Sequence, residues 1–178
     1  MGRRSILTGL ICCALGGLPA VAQKMGAATA MSDQQFIDFA AQTDMTEAHL
    51  GQVAANQAAS QEVKDFAQML VTDHTTDYTQ LGTIATKAGL TVPKGLDAQH
   101  DKMIAPFEKL KGAAFDHRFA REMVMGHTKA IAEYKREAQD AQNPDVKAYA
   151  SQALPTLEKH LQAAKDLEKK PAAKHGKM

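Results

Sequence analysis

Apolar residues in this chain recur at alternating intervals of four and three along four long segments. The same spacing is found in the segments that begin near residues 32, 60, 114 and 144. It places the recurring residues on one face of an α-helix. In the first segment the pattern runs through Phe36, Ala40, Thr43, Glu47, Leu50, Ala54 and Gln57. Helices of this kind bury their apolar faces by packing together, so the spacing predicts an all-α, four-helix bundle.

Capping residues and turn residues indicate where these helices begin and end. Ser32 and Ser60 are suitable N-caps for helices over about 32–57 and 60–89. Asn143-Pro144 is a typical start for the last helix, which follows one over about 114–141. Two prolines and two glycines interrupt residues 90–113, where we expect a long crossover containing a short helix. The motifs SQEVKDFA and NPDVKAYA each open the second helix of a pair. Two helical hairpins joined by a crossover is the plan of ferritin-like bundles.

The N-terminal segment has the features of a secretory signal peptide over residues 1–22. Arg3 and Arg4 precede an uncharged apolar stretch that ends in Ala20-Val21-Ala22, a small-x-small cleavage pattern. A membrane anchor is the weaker alternative, because the stretch is short and contains glycines. We expect a bundle domain over residues 23–168 and a disordered basic tail over 169–178. Both cysteines, Cys12 and Cys13, lie in the signal segment, so no disulfide is expected in the exported chain.

Charge and aromatic content exclude one class of partner. The chain has 21 Lys and Arg against 20 Asp and Glu, which lacks the basic excess of a nucleic-acid binder. It has no Trp, 3 Tyr and 6 Phe, too few for a base-stacking surface. We therefore expect no nucleic-acid partner, and no transmembrane helix after the signal segment.

Four polar residues fall on the inward faces of the predicted helices, one on each helix: Glu47, His74, His127 and His160. Each lies ~18–27 Å from the turn that joins its helix pair, close to the middle of the helices. Unpaired polar groups in a core are costly, so these side chains must satisfy one another or bind something else. Imidazole and carboxylate together suit a divalent metal ion such as zinc, copper or iron.

Acidic residues near these positions are candidates for orienting the imidazoles from outside the ligand set. The candidates are Asp44, Asp73, Asp77 and Asp116. Asp44 is also an alternative to Glu47 as the acidic ligand. The competing interpretation is a metal-free core in which the histidines are hydrogen-bonded to polar neighbours.

Several enzyme motifs are missing from the sequence. No Glu has a His three residues later, so the paired Glu-x-x-His motifs of di-iron bundles are absent. There is also no His-Glu-x-x-His helix and no glycine-rich phosphate loop. Oxidative catalysis is therefore the least supported function.

The chain resembles the exported bacterial family known as domain of unknown function 4142, over about residues 33–168. The stretches that carry the resemblance are TEAHLGQVA, EVKDFAQMLVTDHT, AAFDHRFAREMVMGH and DVKAYASQALPTLEKHL. The family pattern falls on Glu47, Asp73-His74, Phe115-Asp116, His127, and Leu154-Pro155 with His160. Family members often have a second acid where this chain has His49. The resemblance implies a ferritin-like bundle and a periplasmic or outer-membrane-associated location, and it implies no particular activity.

Two functions therefore remain open. The first is a periplasmic protein that binds a metal ion for storage, buffering or stress protection. The second is a non-catalytic interaction or structural module of the cell envelope, with a metal-free polar core. Its partner would be another envelope protein or a second copy of the chain.

Overall fold

Helices make up nearly all of the chain that the computed structural model describes, residues 31–170, and this range contains no β-strand. The long helices are α1 (Asp33–Gln57), α2 (Gln61–Ala88), α4 (Gly112–Asp140) and α5 (Pro144–Glu168). Between α2 and α4 lie the short helix α3 (Ala98–Ile104) and a 3-10 turn (Phe107–Lys109). The expected signal peptide lies outside the described residues, as do residues 171–178 of the expected tail. The all-helical class predicted from the spacing is confirmed.

The helices begin and end where local chemistry favours it. The Ser32 side chain accepts a hydrogen bond from the Gln35 backbone N–H, and the Gln35 side-chain oxygen accepts one from the Ser32 backbone N–H. Ser60 and Asn143 cap α2 and α5 in a similar way. The left-handed Gly89, with φ of 70°, ends α2. The helix boundaries therefore follow from the sequence to within about two residues.

Each long helix packs against two others. α1 packs against α2, α4 packs against α5, and further contacts join α2 to α5 and α1 to α4. α3 lies against α1. None of the helices between residues 31 and 170 combines the length and apolar character that crossing a membrane requires.

The core consists of two apolar clusters with a polar layer between them. The first cluster includes Phe36, Leu81, Tyr134 and Val146, and the second includes Leu50, Phe66, Phe119 and Ala164. Along every long helix, one to four buried polar residues lie between its contributions to the two clusters, and one from each helix is the predicted inward residue. These four inward residues are Glu47, His74, His127 and His160. α2 ends in the first cluster and α4 begins in the second.

Candidate metal centre

Three histidines from three helices converge at the polar layer. One ring nitrogen from each of His74, His127 and His160 lies within 4.8 Å of the other two. The ring centroids are 5.2–5.8 Å apart. All three residues are at most 2% exposed. The helices α2, α4 and α5 therefore bring three imidazoles to one buried point.

Glu47 supplies a carboxylate from α1 to the same point. Its Oε2 lies 2.9 Å from Nε2 of His74 and 3.1 Å from Nε2 of His127. Donor atoms that share a tetrahedral ion at bond lengths of about 2.1 Å are separated by about 3.4 Å. The observed separations are somewhat shorter than that spacing, and Glu47 is buried, with 4% of its surface exposed.

The second nitrogen of each ring has a hydrogen-bond partner. The three pairs are His74 Nδ1 with Asp44 Oδ1 at 2.8 Å, His127 Nδ1 with the Met123 carbonyl oxygen at 2.9 Å, and His160 Nε2 with Asp73 Oδ2 at 2.9 Å. Histidines that bind metal ions commonly donate their outer N–H to a carboxylate or a carbonyl oxygen, which fixes the ring and its tautomer. Of the four predicted orienting acids, Asp44 and Asp73 are the two that contact imidazoles.

The atoms that face one another across the polar layer make no hydrogen bonds. They are Glu47 Oε2, Nε2 of His74 and of His127, and Nδ1 of His160, all fully buried. The short approaches of Glu47 to two rings lack hydrogen-bond angles, since both partners are unsatisfied. A buried polar atom without a partner costs about 1–3 kcal/mol. Three imidazole nitrogens and one carboxylate oxygen form a donor set that fits zinc, copper or iron.

Burial and mutual charge shift the pKa values of these groups in different directions. Burial alone would raise the pKa of Glu47, but His127 and His74 outweigh it and hold that pKa below its usual value. Burial opposes the charge of His74, yet Glu47 and Asp44 raise its pKa to about 10. Burial raises the pKa of Asp44 to about 7. Burial lowers the pKa of His160 to about 4, so this ring is neutral and has a free lone pair at neutral pH.

Two of the predicted orienting acids have other partners. Asp77 accepts a hydrogen bond of 2.6 Å from the Tyr149 hydroxyl, one helical turn from His74. Asp116 accepts backbone hydrogen bonds from Ala59 and Ser60 and so fixes the turn between α1 and α2. The expectation that Asp116 orients an imidazole is not met in the structure, because about three helical turns separate it from His127.

Two contributors were not foreseen from the sequence. One is the Met123 carbonyl oxygen, because a backbone acceptor leaves no mark in a residue pattern. The other is Gly126, where an added Cβ would lie 3.3 Å from Oε1 of Glu47. Gly126 therefore leaves room for the carboxylate. A glycine inside a helix and next to an inward histidine was the available signal.

Comparisons with known proteins identify both a family and a fold. The family described as domain of unknown function (DUF4142) matches residues 18–167. No curated protein matches the chain. Among solved structures, "CopM in the Cu(II)-bound form" is 17% identical with a TM-score of 0.66, over 79% of this chain and 97% of that chain. "CopM in the Cu(I)-bound form" is 14% identical with a TM-score of 0.63, over 76% and 94%. At these identities the likeness establishes a shared helical fold.

Proposed function

This chain belongs to the family described as domain of unknown function (DUF4142), and we propose that it binds one metal ion through His74, His127, His160 and Glu47. The observation that carries the proposal is the set of four buried donor atoms, one from each long helix, that make no hydrogen bond and include the close contacts of Glu47 Oε2 with His74 and His127. A bound ion would satisfy all four atoms at once. The donor types favour zinc, copper or iron, and copper is the ion named for both similar structures.

The residues around the ligands would position them, and one ligand, His74, would lose a proton to make room for the ion. Asp73 and Asp44 hold the outer nitrogens of His160 and His74, and the Met123 carbonyl holds that of His127. His74 has a raised pKa, so an ion that binds at neutral pH displaces a proton from it. An ion in this position supplies a fixed positive charge that neutralises the buried carboxylates.

The wider role that we propose is storage, buffering or stress protection rather than catalysis. We further propose that residues 1–22 direct export and that the domain over 23–168 is located in the periplasm, where it could associate with the outer membrane. The order in which the two apolar clusters alternate along the helices supports a ferritin-like arrangement of two hairpins and a crossover.

One observation favours a second candidate function. Each of the three imidazoles already has one hydrogen-bond partner, as it would in a metal-free polar core. In that case the protein is an interaction or structural module that binds another envelope protein or a second copy of itself. His160 Nδ1 counts against this alternative, because it has neither a hydrogen bond nor an ion-pair contact and a self-sufficient core would pair it.

Elemental analysis distinguishes the metal-binding protein from the metal-free interaction module. The exported protein is purified from the periplasm without a metal-affinity tag and then incubated with zinc, copper or iron. We expect about one equivalent of ion, lost in each of His74→Ala, His127→Ala and His160→Ala. His117→Ala is the matched control, because His117 is exposed on α4. Folded variants that all keep the ion would refute the ligand assignment, and a parent protein that binds none would favour the interaction module.

A further inference from the structure

A cavity of about 320 Å³ opens between α2 and α5 beside the three histidines. Its lining includes buried His74 and His160 and partly exposed Asp73 and Asp77. Exposed Gln80 and Thr156 also line it. The cavity therefore extends from the surface of the bundle to two of the rings in the polar layer.

Both rings in the cavity wall have a nitrogen that makes no hydrogen bond. His74 and His160 are at most 2% exposed, and each has one ring nitrogen without a hydrogen bond. Asp73 joins them to the surface, since its Oδ2 lies 2.9 Å from Nε2 of His160 while its side chain is 32% exposed. Asp73, which lines the cavity, is thus in direct contact with a residue of the inner donor set.

Two carboxylates that can bind a cation line the cavity. Asp73 and Asp77 lie one turn apart on the same face of α2, and both line the cavity. Lys159 also lines the cavity, and His74, whose pKa is raised to about 10, lies at its inner end. Carboxylate oxygens can ligate a divalent ion before it reaches the imidazoles.

A second opening lies on the other side of the bundle and is less suited to a cation. It has a volume of about 80 Å³ and reaches Glu47 beneath α3. Phe39 and Met103 line it together with Lys129, whose ammonium group lies 5.5 Å from the centre of the Phe39 ring. This opening is smaller and more apolar, and its charged rim group is positive.

We infer that the cavity between α2 and α5 is the route by which the metal ion reaches the buried ligands, with Asp73 and Asp77 as its outer binding position. The inference rests on the proposed function. The outer carboxylates replace part of the ion's water shell before the imidazoles complete its coordination. Release of the ion follows the same route in reverse.

The rate of Co²⁺ uptake by the metal-free protein tests this route. Stopped-flow absorbance follows the coloured Co²⁺ complex in the parent and in Thr156→Trp, which fills the mouth of the cavity. We expect uptake and release to slow by the same factor, ~10-fold, with the equilibrium affinity unchanged. In Gln80→Lys the added charge repels the ion, so uptake slows by ~10-fold at low salt and recovers as salt screens the charge. Gln80 is exposed, so this second variant is informative even where Thr156→Trp fails to fold.

Matched controls are Gln99→Trp and Gln99→Lys, because Gln99 is exposed and lines the opening beneath α3. We expect both controls to take up Co²⁺ at the parent rate. Slower uptake in the Gln99 variants alone would overturn the inference in favour of the opposite side. Parent rates in all four variants would overturn it by showing that no fixed route exists. Both results leave the bound ion in place, whereas a parent protein that binds no Co²⁺ at equilibrium would overturn the proposed function as well.

Discussion

Oε2 of Glu47 lies 2.9 Å from Nε2 of His74, yet neither atom makes a hydrogen bond. The same oxygen lies 3.1 Å from Nε2 of His127. One carboxylate oxygen on α1 is therefore shared by imidazoles on α2 and α4 without the angles that a hydrogen bond needs. In the metal-free protein this contact is an ion pair, and the first prediction separates that electrostatic role of Glu47 from its proposed role as a metal ligand.

Replacing Glu47 by Gln should weaken metal binding by removing the charged ligand while keeping the size of the side chain. Because the carboxylate also raises the pKa of His74, that pKa should fall in the metal-free variant. Competition with a chromophoric chelator gives the affinity, and NMR titration gives the pKa. An unchanged affinity together with a lowered pKa would remove Glu47 from the ligand set but keep its electrostatic role.

Replacing Asp73 by Asn should lower metal affinity by ~10-fold, because it weakens the hydrogen bond that orients His160. The loss should be smaller than in Glu47→Gln, since Asp73 acts through another residue. Asp65→Asn is the matched control, because Asp65 is an exposed acid on the same helix. Equal affinities in the two aspartate variants would show that the His160–Asp73 pair has no part in binding the ion.

The metal-free protein should lose stability relative to His160→Gln as the pH falls from about 6.5 to 4. Burial lowers the folded-state pKa of His160 to about 4, so in this window the unfolded chain binds a proton that the folded chain does not. The difference in unfolding free energy should change by up to about 1.4 kcal/mol per pH unit. Using the difference matters because Asp44, with a pKa raised to about 7, has the opposite pH dependence. Urea unfolding of both proteins at several pH values measures this difference in unfolding free energy. A difference that does not change with pH would contradict a neutral buried His160.

Two glycines on neighbouring helices should respond oppositely to alanine. At Gly51 an added Cβ would lie 2.7 Å from the Ala67 carbonyl oxygen and from Val71 Cγ2, so α1 and α2 must separate. We expect Gly51→Ala to destabilise the protein by about 1–3 kcal/mol. At Gly82 nothing lies within 4 Å of the added Cβ, so Gly82→Ala should stabilise α2 by about 0.5–1 kcal/mol. Thermal unfolding of both variants checks this, and equal effects would contradict the close contact at Gly51.

The helices could be predicted because their signals are local. Ser32, Ser60 and Asn143 are caps in the structure as the sequence indicated. On α4 the residues that recur at intervals of four and three are all buried: Phe115, Phe119, Met123, His127, Ala130 and Tyr134. The polar positions of the α1 pattern predicted burial less well. Thr43 and Gln57 lie on the predicted inward face of α1 but are only partly buried.

The candidate site could be predicted only in part. The sequence predicted one inward polar residue on each helix, at a similar height. In the structure those residues, the three histidines and Glu47, lie close together. The hydrogen-bond partners of the acids could not be predicted, because proximity in the sequence does not fix the direction in which a side chain points. Asp44 contacts His74, whereas Asp77 accepts from Tyr149 and Asp116 holds a turn.

The sequence by itself determined that this chain forms four long amphipathic helices with a polar residue near the middle of each inward face. Those properties depend on the helical repeat and on capping, which are local. Only the tertiary structure decided which nitrogen of each imidazole faces the centre, which acids hold the others, and where a polar cavity reaches the layer. These features depend on how far each helix is rotated about its own axis and on which helix it meets. Residue spacing fixes that rotation too coarsely to place individual atoms.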